Sequence, residues 1–177
     1  MLKQFYPYAY VDSVYAIDYE KLYRSGYRAL IFDIDQTLVQ HGYPSTKEVD
    51  ALFSGLHALG FKTLFLSNNS DERIQDFTKN IDAQYIPMAD KPQVDGYLKA
   101  LQLLEIDKDQ TIFIGDQVFT DILGANRAGI PSILVKFLRH EHETKIGKKR
   151  QLERLILACY QMSRHKNRLG SIDKGSK

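Results

Sequence analysis

The sequence predicts an α/β fold: a parallel β-sheet with helices on both faces. Two observations support this. Five short runs rich in Ile, Leu, Phe and Val lack polar alternation, as strands buried on both faces do. Segments with apolar residues at helical spacing separate these runs, so strand and helix signals alternate along the chain. A length of 177 residues, with 44% hydrophobic and 26% charged, fits one main globular domain.

The elements follow in order. Residues 1–28 hold seven of the eleven tyrosines and are expected to pack on the core or cover the sheet edge. Ala29 to Ile34 reads as the first strand. Ser45 and Glu48 match a capping box, and Val49, Leu52, Phe53, Leu56 and Leu59 then form a helical stripe that stops at Gly60. Lys62 to Leu66 is the second strand. A helix is predicted over Asp71 to Lys79, a strand over Gln84 to Ile86, and a helix from Pro92 to Leu104 with Val94, Tyr97, Leu98, Leu101 and Leu104 as its stripe. Thr111 to Ile114 and Ser132 to Val135 are the last strands, separated by a helix from Thr120 to Gly129. Beyond residue 140, Leu152, Leu155, Ile156, Cys159 and Met162 suggest a helix that also bears Lys148, Lys149, Arg150 and Arg154. Asn167 to Lys177 is polar and expected to fray. The predicted division is a lead over 1–28, a main core over 29–140, and a basic helix and tail over 141–177.

Several classes are disfavoured. No apolar run is long enough to span a bilayer, and the first residues lack the aliphatic stretch of a secretory signal, so cytoplasmic residence is expected. Cys159 is the single cysteine, which rules out an internal disulfide. Residues 1–135 carry 12 Lys/Arg against 18 Asp/Glu, and residues 136–177 carry 12 against 4, a net −6 followed by +8. A basic tail on an acidic body suits phosphate-bearing surfaces. Packing onto the body is the expected fate of the tail helix, with peripheral membrane contact as the alternative. No nucleic-acid recognition motif accompanies these charges. His140, His142 and His165 are too scattered for a metal site, and His41 reads as a surface histidine.

The chemistry sits where the strands end, because open parallel sheets bind ligands at the carboxyl ends of their strands. Strand one ends in Asp33, Asp35 and Thr37, strand two in Ser67, Asn68 and Asn69. Strand three leads to Lys91, and strand four ends in Gly115, Asp116 and then Asp121. Carboxylates crowded on one sheet edge call for a hard cation, and an all-oxygen set without His or Cys suits Mg²⁺ completed by a substrate phosphate. Asp33 and Asp35, two apart, are expected to share one side while Ile34 enters the core. One could then act as nucleophile and the other transfer protons, their proximity splitting their pKa values. Asn68 and Asn69 could equally cap the next helix or touch substrate.

These residues resemble the motifs of haloacid dehalogenase (HAD) superfamily phosphatases: "DIDQT", Ser67, Lys91 in "ADKP", and "GDQVFTD". The resemblance covers residues 29–135 and implies a Rossmann-like fold. It implies Asp33 as a nucleophile forming an aspartyl phosphate and Asp35 as general acid and base. Thr37, Ser67 and Lys91 match phosphate-contacting positions. Asp33, the Asp35 backbone carbonyl and Asp116 match Mg²⁺ ligands, with Asp121 assisting through metal-bound water. Gln36 stands where relatives often have Gly or Asn. Only seven residues separate Thr37 from Ser45, and 23 separate Ser67 from Lys91, so neither gap has room for a sizeable cap domain.

The lead "YVDSVYAIDYEKLYRSGYRALIFDIDQTLV" and the segment "YIPMADKP" are similar to the YqeG-type group of subfamily IIIA. That similarity implies a phosphorylated lipid headgroup, that of phosphatidylglycerophosphate, as a candidate substrate. A soluble nucleotide or sugar phosphate is the rival within the enzyme class. A non-catalytic protein binding phosphate, RNA or a membrane is the rival outside it. Oligomeric state is left open.

Overall fold

The strands are β1 (Ala9–Val11), β2 (Ala29–Phe32), β3 (Lys62–Leu66), β4 (Gln84–Ile86), β5 (Thr111–Gly115) and β6 (Ser132–Val135). In the computed structural model, which describes residues 2–138 and 147–174, they form one sheet in the order β1-β6-β5-β2-β3-β4. Every pairing is parallel. The helices are α1 (Tyr19–Arg24), α2 (Lys47–Leu59), α3 (Asp71–Thr78), α4 (Asp95–Leu104), α5 (Leu123–Ala128) and α6 (Lys148–Gln161).

Alternation along the strands divides the apolar side chains between two faces. Leu30, Phe32, Phe65, Ile112 and Ile114 join Val49, Phe53 and Leu56 of α2 and Ile74 and Phe77 of α3. Ala29, Ile31, Leu64, Leu66 and Phe113 join Tyr97, Ala100 and Leu104 of α4 and Ala125 of α5. Burial on both faces explains why these strands lack polar alternation. A third cluster of Tyr6, Val118, Ile122, Leu134, Ile156 and Tyr160 holds α6 against the far end of the sheet.

The four central helices differ from expectation at their ends. Thr46, not Ser45, caps α2: its Oγ1 accepts from Val49 N at 3.3 Å, while the Ser45 hydroxyl bonds Asp50. Ser70 caps α3 through Arg73 N, which frees Asn69. Helix α4 opens at Asp95, three residues after Pro92. Before α5 the chain makes a π-helical turn over Val118–Ile122, and Gly129 ends the helix at φ 75°.

The two flanks depart further. The lead contributes β1, in register with β6 from Ala9 opposite Ile133 to Val11 opposite Val135. Residues 167–174 do not fray. Arg168 N donates to Tyr8 O at 2.8 Å, Ile172 is buried, and Asp173 pairs antiparallel with Ile17. On α6 the predicted stripe is displaced. Ile156 is buried, but Leu152, Leu155, Cys159 and Met162 are exposed, and the inward face carries Arg150, Glu153, Ile156 and Tyr160. His140, His142 and residues 175–177 lie outside the described residues.

Among the described residues no inserted domain stands over the carboxyl ends of the strands: residues 33–46 link β2 to α2, and α3 alone lies between β3 and β4. Among the described residues no helix is long and apolar enough to cross a membrane.

Candidate active site

Asp33, Asp116 and Asp121 are buried at the ends of adjacent strands β2 and β5, each with an oxygen within 4.8 Å of the others. Lys91, whose side chain is 3% exposed, bridges two of them: Nζ lies 2.6 Å from Asp33 Oδ1 and 2.8 Å from Asp121 Oδ1. The Thr37 hydroxyl lies 3.0 Å from Asp33 Oδ2 and 3.3 Å from Asp116 Oδ1. Asp121 Oδ2 accepts from the backbone N–H of Asp116 at 3.1 Å and of Gln117 at 3.0 Å. This close approach needs a glycine at the end of β5, since a Cβ on Gly115 would meet Asp121 Oδ2 at 2.5 Å. Tyr97 fastens the same turn from below, its hydroxyl donating towards the carbonyls of Thr120 and Asp121.

Burial raises the Asp33 carboxyl to about 6, with Asp121 pushing further and Lys91 opposing. Burial raises Asp116 to about 8, helped by Asp121 and Asp33 and opposed by Arg150. Burial alone would discharge Lys91, but Asp121 and Asp33 outweigh it and hold the ammonium charged. Asp33, Asp116 and Asp121 share two cations, Lys91 and Arg150, and Arg150 is also paired with Glu153, so the cluster has room in its charge balance for a further positive ion. The donors are all oxygen, which fits a hard divalent cation.

Asp35 lies apart from this cluster. Its carboxylate accepts from Gly42 N at 3.0 Å, from Arg73 Nη2 at 2.9 Å and from Asn69 Nδ2. Burial pushes its pKa up, but these donors outweigh burial and lower it. Asp33 and Asp35 therefore differ in pKa through separate neighbours, not through mutual repulsion. His41 Nδ1 lies 3.5 Å from Asp35 Oδ2 on an exposed ring.

Asn68 brackets the backbone of Lys91, accepting from its N–H at 2.8 Å and donating to its carbonyl at 3.3 Å. Asn69 donates to the Ser67 hydroxyl from its side chain at 2.9 Å and its backbone at 3.2 Å. Above these groups opens a cleft of about 320 Å³. Asp33, Asp35, Ser67 and Lys91 line its floor, and Gln117 and Lys149 reach its rim.

The residues that sequence reasoning misses come from α3 and α6. In the sequence Arg73 reads only as part of a helix, and Arg150 as one of four basic residues beside the apolar stripe of the tail helix. Arg150 instead bonds the Asp116 carboxylate, donates to the Asp116 carbonyl at 2.6 Å, and pairs with Glu153 Oε2 at 2.9 Å. Arg150 and Glu153, three apart on one helix face with Ile156 and Tyr160, are the available signal.

A family model described as HAD-hydrolase-like matches residues 88–151. The "Probable phosphatase YqeG" of Bacillus subtilis is 32% identical over 167 residues, spanning 93% of this chain and 97% of the relative. Two solved structures share the fold. A mutant thermostable NPPase from Geobacillus stearothermophilus has a TM-score of 0.54 at 16% identity, over 69% of this chain and 94% of the other. An uncharacterized protein from Listeria monocytogenes serotype 4b has a TM-score of 0.53 at 21% identity, over 76% of this chain and 99% of the other. With its strand-end carboxylates and near full-length similarity to YqeG, this chain belongs to the YqeG-type phosphatases of the haloacid dehalogenase-like superfamily.

Proposed function

We propose that the chain hydrolyses phosphomonoesters through an aspartyl phosphate on Asp33, with Mg²⁺ as its ion and the headgroup of phosphatidylglycerophosphate as the leading substrate. The observation that carries the reaction is the buried bridge from Asp33 through Lys91 to Asp121, with Thr37 on the second Asp33 oxygen. Lys91 keeps the Asp33 carboxylate ionised and aligned. Asp33, Asp116 and Asp121 would hold the ion, which when bound neutralises phosphate charge and so lets an anionic nucleophile approach.

Asp33 Oδ attacks phosphorus, the bond from phosphorus to the leaving oxygen breaks, and Asp35 gives that oxygen a proton. Water then attacks the phosphoaspartate as Asp35 takes its proton, which releases inorganic phosphate and restores Asp33. In the resting site Arg73, Asn69 and Gly42 hold Asp35 ionised, the form needed in the second step. An arriving phosphoryl dianion raises its affinity for the proton needed in the first. Ser67 and Lys91 face the phosphate.

The lipid reading draws support from the open cleft and from α6. This helix brings Lys149 to the rim and leaves Leu152 and Leu155 exposed beside it, the pairing of cation and apolar side chain that suits an anionic interface.

The test is release of inorganic phosphate from p-nitrophenyl phosphate. Turnover is expected to require Mg²⁺ and to fall about 10³-fold or more in Asp33→Asn. Activity that survives that substitution overturns the mechanism. For the substrate, phosphatidylglycerophosphate in anionic vesicles is compared with soluble sugar and nucleotide phosphates. Faster lipid turnover, reduced when Leu152 and Leu155 become Ser while aryl phosphate turnover holds, supports the lipid. Faster cleavage of a soluble ester defeats it.

A further inference from the structure

Glu153 is the anomaly of α6. It is 4% exposed in the face that packs with Ile156 and Tyr160 against the sheet end, where an unpaired carboxylate would be strongly destabilising. Both its oxygens have partners. Oε1 accepts from Val118 N at 3.0 Å, satisfying a donor at the start of the turn that carries Asp121. Oε2 pairs with Arg150 Nη1 at 2.9 Å.

Arg150 is equally committed. Nη1 also reaches the Asp116 carbonyl at 2.6 Å, Nη2 bonds Asp116 Oδ2 and lies 3.2 Å from Gln36 Oε1, and the guanidinium stacks 4.5 Å from the centroid of Phe137. The other Asp116 oxygen, Oδ1, faces Thr37 and the interior of the site. The arginine thus holds the outer oxygen and the carbonyl of one residue together, which fixes the inner oxygen. A lysine, as a single point donor, cannot span these acceptors.

We propose that Arg150, braced by Glu153, is a positioning residue of the phosphatase: it sets the Asp116 carboxylate so that its inner oxygen meets a divalent ion, making α6 a structural part of the active site. This rests on the reading of Asp116 as an ion ligand.

The experiment titrates Mn²⁺, as a paramagnetic stand-in for Mg²⁺, into metal-free full-length protein and counts free ion by electron paramagnetic resonance. Kinetics on p-nitrophenyl phosphate run in parallel. Partners behind a metal ligand typically contribute 10–100-fold in metal affinity. Arg150→Ala is therefore expected to weaken Mn²⁺ binding about tenfold or more, with kcat falling and KM little moved. Arg150→Lys, which keeps the charge and one bond, should recover part of the loss and serves as the deciding variant if Arg150→Ala does not fold. Arg154→Ala, one turn along and equal in charge, should leave binding unchanged.

Wild-type affinity, or tighter binding, in folded Arg150→Ala or Arg150→Lys overturns the inference, because the guanidinium then acts only as a competing charge. An equal loss in Arg154→Ala also overturns it, by assigning the effect to net charge. Asp116→Asn separates the two levels. If it binds Mn²⁺ like the wild type, the ligand reading itself is wrong and the inference falls with it. If it loses the ion while Arg150→Ala keeps it, only the inference fails.

Discussion

Gly115 shows how little freedom the site allows a single residue. Replacing it with Ala sets a methyl group 2.5 Å from Asp121 Oδ2 and 2.7 Å from Asp121 Cβ, so the carboxylate must shift from the position in which it meets Lys91. Displacements near 1 Å cost about 10²-fold in rate. Gly115→Ala should therefore lose about that much kcat on p-nitrophenyl phosphate while its far-ultraviolet circular dichroism stays native. Gln36 makes the complementary point about what a sequence discloses. It sits at φ 63°, a conformation that Gly or Asn adopts with less strain. The motif residues are legible because their order along the chain is distinctive. Arg73 and Arg150 are not, because an arginine on a helix is ordinarily solvated, and only tertiary packing turns one towards a carboxylate.

At the level of elements, α6 is legible as a helix but not in its orientation. The most apolar arc of its sequence, through Leu152, Leu155 and Met162, faces out, while the packed arc includes two charged residues whose charges are matched inside. Hydrophobic spacing weighs side chains by polarity alone and so selects the wrong arc. The two arcs respond differently to truncation. Ile156→Ala removes a buried side chain from the contact with Val118, Ile122 and Leu134 and should cost about 3 kcal/mol, seen as a lower urea midpoint at unchanged slope. Strands β2, β3, β5 and β6 are readable because burial on both faces produces largely apolar runs. Strand β1 is not, since three residues give no period, and its place depends on a partner far along the chain.

For the molecule as a whole, the buried acidic cluster sets how stability depends on pH. In metal-free protein Asp33 titrates at about 6 and Asp116 at about 8, both above their ordinary range near 4. The folded state therefore binds more protons than the unfolded chain across this interval, and stability must fall as pH rises from about 4 to 8. Melting temperatures of ion-free protein should decline over that range. Saturating Mg²⁺ should flatten or reverse the trend, because its ligands bind it deprotonated. A melting temperature that rises with pH without the ion would contradict the charge balance of the site.

The parallel pairing of Ala9 with Ile133, and the antiparallel pairing of Ile17 with Asp173, also set an order of events during synthesis. A chain still emerging from the ribosome carries an N-terminal strand that waits for a template made far later, a pairing of high contact order that closes slowly. Its acidic cluster likewise stands without Arg150 until α6 leaves the exit tunnel. The arrangement of the site is thus completed only after every residue of its recognisable motifs has already been made.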